Sequence, residues 1–291
     1  ASGRVFAFKV ELIDPDKDVY KIIVKSKILA FNQVIDTYNS FSWGRCASNS
    51  LDNIALLYGV VATNDKLTNK ELVQWLAIRI DLFQACHQQE RLQSVTISEE
   101  LLSKPSFSYL LAIKLFYLEN FSSAALQFRK TSDLGNDKIK PISLYMQARS
   151  YLSQAKLNWD DYEYEEKLLD SDALKLAYKT FQTFIVQSPN HKLAKAARGQ
   201  LRHIHWVRGD IKEYRLLLEQ EIVRLFNHVN GAAQFTDRDN DEIVKLLKEY
   251  KIHVNTENSA LDEVFIAFET QLNQKNKSTI INFVSRLHRF K

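Results

Sequence analysis

The scarcest residues in this chain say most about its fold. It carries seven glycines and four prolines in 291 residues. An all-β protein of this length reverses its strands many times and needs far more turn-formers. Long helices with short joints fit that shortage, and the apolar spacing agrees. Val73, Leu76, Ile80 and Phe83 recur at steps of three and four on one face, while Trp75, Ile78, Leu82 and Cys86 mark a second. A helix apolar on more than one side must be packed by more than one neighbour.

Two regions interrupt or precede the helical period. Residues 1–25 alternate apolar and polar at Phe6, Phe8, Val10 and Leu12, break at Asp14-Pro15, and resume at Tyr20, Ile22 and Val24. This predicts a short β or irregular N-terminal segment, two strands across a turn. Asp14, Asp16 and Asp18 resemble the start of a calcium loop, but Val19 stands where glycine is needed and Lys25 where glutamate is needed. The second interruption, Ser94 to Pro105, divides a helical region at 26–103 from a further one at 104–230. Residues 231–291 add two or three more helices, the first capped by Asp237, Asp239 and Asp241.

Within 104–230 a unit recurs. Phe107 to Phe128 places Leu111, Ala112 and Leu115 on a first helix, a polar joint at Glu119-Asn120, and Phe121, Ala124 and Phe128 on a second. Pro141 introduces Leu144, Ala148 and Tyr151 at comparable spacing. After an acidic insertion holding Asp160, Asp161, Glu163, Glu165, Glu166 and Asp170, the partner helix follows with Ala177, Phe181, Phe184 and a terminating Pro189. A third hairpin runs from His191, turns at Gly209-Asp210 and returns through Ile211, Tyr214 and Leu218. Small residues let antiparallel helices approach, and aromatics fill the space toward the next pair.

This pattern resembles the tetratricopeptide repeat, in the degenerate form found in bacterial envelope proteins such as outer-membrane-assembly lipoproteins. The resemblance implies an all-α, TPR-like α-solenoid of antiparallel helical hairpins. It also implies a protein-binding scaffold or adaptor in the periplasm or outside the cell, with a cytoplasmic location as the alternative. Two other functions fit a helical chain: an accessory or ligand-sensing domain of a larger enzyme or receptor, and a binder of nucleic acid or anionic glycan. The chain starts at Ala1-Ser2-Gly3 without an initiator methionine, which suits a mature secreted chain or a trimmed one. Cys46 and Cys86 lie in one amphipathic region and could form a single disulfide, stabilising by roughly 4 kcal/mol in the chain-entropy model, or remain buried thiols.

No motif for a nucleophile, a phosphate loop or a zinc protease is present, so neither catalysis nor a cofactor is expected. No apolar run approaches the length of about 18 residues that a membrane span needs. His203 and His205 sit about 200° apart on a helix and cannot share one metal. Arg208-Gly209-Asp210 spells an adhesion tripeptide but also a helix end followed by a cap. Asn120-Phe121-Ser122 and Asn276-Lys277-Ser278 match a glycosylation sequon of the kind that recurs by chance.

The net charge of +4 is too small to define a polyanion binder, so nucleic acid is not the expected partner. Charge is nevertheless concentrated. His191, Lys195, Arg198, Arg202 and His205 form a stripe opposite Ala194, Ala197, Leu201 and Ile204. Such a stripe can be a solvated face, a partner of the acidic insertion, or a strip that holds an acidic protein or peptide. In the last case Arg supplies bidentate carboxylate contacts, and Trp206 or Tyr151 an apolar anchor.

Overall fold

A computed structural model describes residues 61, 67–86, 88–135, 137–156 and 171–231. Its elements are α1 (Asn69–Gln84), α2 (Gln89–Ser94), a 3-10 turn (Glu99–Ser103), α3 (Pro105–Tyr117), α4 (Phe121–Leu134), α5 (Ile139–Ala155), α6 (Ser171–Gln187), α7 (Ala194–Val207) and α8 (Ile211–Gly231). Among the described residues all regular structure is helical, in keeping with the all-α expectation. The N-terminal alternating segment, the acidic run at 160–170, both Asp clusters and the region after 231 lie outside the described residues. The chain divides into two compact units whose boundary falls inside α7, between Ala197 and Arg198.

The first unit is built by consecutive packing. Helix α4 packs on α3, α5 on α4 and α6 on α5, with α3 also touching α5 and α1. Its start is set by local chemistry. Thr68 caps α1 by accepting from the Glu71 N–H, and the Glu71 carboxylate accepts the Thr68 N–H at 2.8 Å, a reciprocal capping box. The same carboxylate meets Lys104 at 2.5 Å, just before Pro105 opens α3. Trp75, fully buried, donates its indole N–H to the Ser106 carbonyl at 3.1 Å and so fixes α1 against the first turn of α3. Both faces of α1 contribute buried side chains, as a helix with two apolar stripes requires.

Helices α3 and α4 form an antiparallel hairpin, because their contacts run in opposite chain order. Phe116 meets Phe121 beside the joint at 5.3 Å, edge to face, and Tyr109 meets Phe128 two turns away at the same separation. Burying each such ring stabilises by about 2–3 kcal/mol, and the edge-to-face geometry adds roughly 1 kcal/mol per pair. Tyr109 is fully buried, and that burial drives its phenol well above the usual range. Deeper in the pair a polar circuit closes. Gln127 donates to the Ser108 hydroxyl at 2.9 Å, Ser108 pairs with the Thr131 hydroxyl at 2.7 Å, and Thr131 donates to the Gln127 carbonyl at 2.8 Å. Each hydroxyl thus gives one hydrogen bond and takes one, so burial costs little.

The alanines expected at helix contacts, Ala112, Ala124, Ala148 and Ala177, are all buried. Their bulky companions on the first helices are displaced by one or two positions. Leu111, Leu115, Leu144 and Tyr151 are only half-buried, whereas Ile113, Phe116, Tyr145 and Leu152 are interior. A helix buried on more than half its circumference lets a shift of one or two residues pass unnoticed in the apolar pattern. On α6, Phe181 and Phe184 are interior as expected, and both rings meet Tyr145 edge-on. Pro141 lies inside the first turn of α5 rather than ahead of it, where a missing N–H is tolerated.

The second unit contains the C-terminal part of α7 and all of α8. Leu201 and Ile204 on α7, and Tyr214 and Leu218 on α8, are buried.

Candidate partner-binding surface

The joint between α7 and α8 sets the geometry of the charged stripe. Helix α7 ends in two nested hydrogen bonds, Gly209 N–H to the Trp206 carbonyl at 3.0 Å and Asp210 N–H to the His205 carbonyl at 2.9 Å. That Schellman arrangement requires a left-handed residue, and Gly209 supplies it with φ of 70°. Asp210 then caps α8 by accepting from the Glu213 N–H, and its other carboxylate oxygen meets His205 Nδ1 at 3.0 Å. The His205 contact is the main reason the Asp210 carboxyl is held below the ordinary range. The acid of the Arg-Gly-Asp tripeptide is therefore engaged within its own joint.

Arg198 closes the stripe from the other end. Its Nε donates to Glu221 Oε2 at 2.7 Å, and Arg224 donates to both oxygens of the same carboxylate, reaching Oε2 at 3.1 Å. Glu221 is 4% exposed. Burial, the largest single influence, opposes its ionisation, but Arg224 and Arg198 together outweigh it and hold the carboxyl below its usual range. One buried carboxylate between two guanidiniums is a satisfied ionic group and not an open cation strip.

The remaining stripe members divide. Arg202 and His205 are buried, and Lys195 is exposed. His191 precedes α7, accepts the Leu193 N–H on Nδ1 at 3.2 Å and stands edge-on to Phe184. Burial, then the neighbouring Lys192 charge, lowers its basicity, so it contributes less positive charge than the sequence implies. Trp206 is 38% exposed with its ring against Tyr214 at 5.6 Å. Tyr151 belongs to α5 in the first unit, half-buried, with Gln147 donating to its hydroxyl at 3.4 Å. Cys86 is buried just after α1, and Cys46 lies outside the described residues.

Sequence reasoning missed Glu221. A signal for it exists in the repeat. Ser108 and Thr131 pair across the α3–α4 hairpin at a separation of 23 residues, and Arg198 and Glu221 pair across α7–α8 at the same separation. The joints correspond bond for bond. Leu118, Glu119, Asn120 and Phe121 have counterparts 90 positions later in Arg208, Gly209, Asp210 and Ile211. Glu119 N–H binds the Phe116 carbonyl and Asn120 N–H the Leu115 carbonyl, reproducing the Gly209 and Asp210 bonds within about 0.2 Å. Asn120 caps Ser123 as Asp210 caps Glu213, each at 3.4 Å.

Among the described residues no group of three His, Cys, Asp or Glu side chains could hold a metal ion, and no helix is long and apolar enough to cross a membrane. Comparison with known proteins returns no match to this chain from any family model, curated protein or solved structure.

Proposed function

We propose that this chain is a non-catalytic protein-binding scaffold of TPR-like type. The observation that carries the reading is the recurrence of one helix-joint-helix unit, hydrogen bond for hydrogen bond, at a 90-residue interval. Repeated hairpins generate extended faces without needing a catalytic cleft, and such faces suit a partner recognised over several helices. On α7, Trp206 is 38% exposed and offers an aromatic anchor for an acidic segment. The engagement of Arg198 by Glu221 favours this discrete contact over a long polyanion track.

The reading is tested with the tagged full chain expressed in its source organism, crosslinked and purified. One protein should be enriched over a tag-only control, and Trp206→Ala should reduce its recovery several-fold. Recovery of no protein above the control would sink the scaffold reading. A periplasmic or extracellular location, with Cys46 bridged to Cys86, belongs to the same proposal. Thiol labelling of the oxidised, denatured protein should then find no reactive cysteine, and two labelled thiols would refute the bridge.

A further inference from the structure

The backbone leading into α7 is tied at His191. Its N–H binds the Ser188 carbonyl at 3.1 Å, and its own carbonyl accepts the Ala194 N–H at 2.8 Å. Ninety positions earlier the same two bonds lead into α3: Leu101 N–H to the Ser98 carbonyl at 3.0 Å, and Lys104 N–H to the Leu101 carbonyl at 2.9 Å. The backbone repeats and the side chain does not. At the second place the imidazole adds a third bond, Nδ1 accepting the Leu193 N–H at 3.2 Å, where the leucine of the first offers no acceptor. A backbone N–H can only donate, so this Nδ1 must present a lone pair and the ring proton of the neutral imidazole sits on Nε2. The half-buried ring also stands edge-on to Phe184 at 5.6 Å, its plane 85° from that of the phenyl ring.

The charges around the ring oppose a second proton. Lys192, beside it in the joint, is the charged side chain that acts on it. On α6 the positions from Thr180 to Gln187 carry no charge. Phe184 meets Tyr145 of α5, whose phenol burial drives above its usual range, so it is uncharged where histidine titrates. The first charged residues of α7 are Lys195 and Arg198, two further cations, the second bound to Glu221. Among the described residues no carboxylate stands beside His191 to favour its charged form.

We propose that His191 is an acid-released latch on the start of α7, closed while Nδ1 is bare and opened when a proton occupies it. Protonation sets an N–H against the Leu193 N–H, two donors facing each other, so the ring turns away and gives up both that bond and its contact with Phe184. Burial, then Lys192, keeps the basicity of the closed ring below the ordinary range, so the joint is closed at neutral pH. As pH falls, the released ring takes up the proton first, near the ordinary histidine value of about 6.5. The latch is therefore fully effective above that value, and its contribution is lost as pH falls from there through the lower value of the closed joint. This device does not depend on the scaffold reading.

The test is NMR of the full-length protein, isotopically labelled at histidine and leucine nitrogens and titrated from about pH 7.5 to about pH 5, the window in which histidine changes charge. His191 and Leu193 are assigned by the signals missing from His191→Asn and Leu193→Ile. At neutral pH Nδ1 of His191 should have the shift of an unprotonated nitrogen, and it should titrate with a midpoint below about 6.5. The Leu193 amide should move with the same midpoint and lose its protection from exchange several-fold. His191→Leu copies the first joint and should abolish the titration of that amide. His191→Asn puts an amide oxygen within reach of the N–H two residues on, as in an Asx-turn, and should keep Leu193 protected at both ends of the range. A protonated Nδ1 at neutral pH, a Leu193 amide that ignores the His191 midpoint, or the same acid loss in His191→Asn would each overturn the proposal.

Discussion

The α3–α4 and α7–α8 hairpins share a joint, a register and a buried polar contact 23 residues apart, yet solve the contact by different chemistry. The first uses two hydroxyls and an amide in a neutral circuit. The second uses one carboxylate between two guanidiniums. The first places Glu119 in the left-handed position, with φ of 62°, where the second has Gly209. Backbone geometry is therefore the invariant of this unit, and the side chains filling it are interchangeable so long as donors and acceptors are matched.

The largest difference between the hairpins should appear on breaking the polar contact. Glu221→Ala leaves Arg198 facing a buried gap and is expected to cost about 2 kcal/mol, less than a fully buried pair because Arg224 is solvent-accessible. Thr131→Val in the first hairpin should cost about 1 kcal/mol, the worth of a neutral hydrogen bond. Urea unfolding of the two variants compares them directly, and equal losses would remove the distinction.

The joints themselves should respond in opposite directions. Gly209→Ala meets no atom within 4 Å, so its cost is conformational alone, about 1 kcal/mol. Glu119→Gly relieves the corresponding strain and should stabilise by up to about 1 kcal/mol, reduced by the added flexibility of the unfolded chain. Thermal melts showing the same sign for both would refute the equivalence of the two joints.

Acid dependence should be the smallest and most selective difference. Glu221 is held below its usual range in the folded chain, so the unfolded chain takes up the proton first as pH falls. The stabilisation is fully present well above the ordinary glutamate value of about 4.3 and is lost as pH drops through the lower folded value. Arg198→Ser with Glu221→Thr installs the hydroxyl pair of the first hairpin, removes the carboxylate, and should flatten this part of the stability profile. An unchanged acid limb in that double variant would assign the effect elsewhere.

Much of this was legible beforehand. The contact alanines, Phe181, Phe184 and the Gly209-Asp210 turn follow from helical period and left-handed backbone preference, both local properties. The Glu119-Asn120 joint was legible from polarity alone, although its left-handed glutamate was not. Apolar residues occupy several sides of α3, so its period does not single out one inner face, and only contacts with α4 and α5 show that Phe116 is interior while Leu111 and Leu115 are half-buried.

The sequence by itself determined that the described chain is helical, where most helices stop and which small residues lie at their contacts. These depend on interactions within a few residues. Tertiary structure alone decided that Arg198 turns toward Glu221 and that Trp206 stays part-exposed beside Tyr214. The fate of a cation on a helix depends on whether a counter-charge on the neighbouring helix offsets its desolvation, and the period of one helix carries no record of that partner.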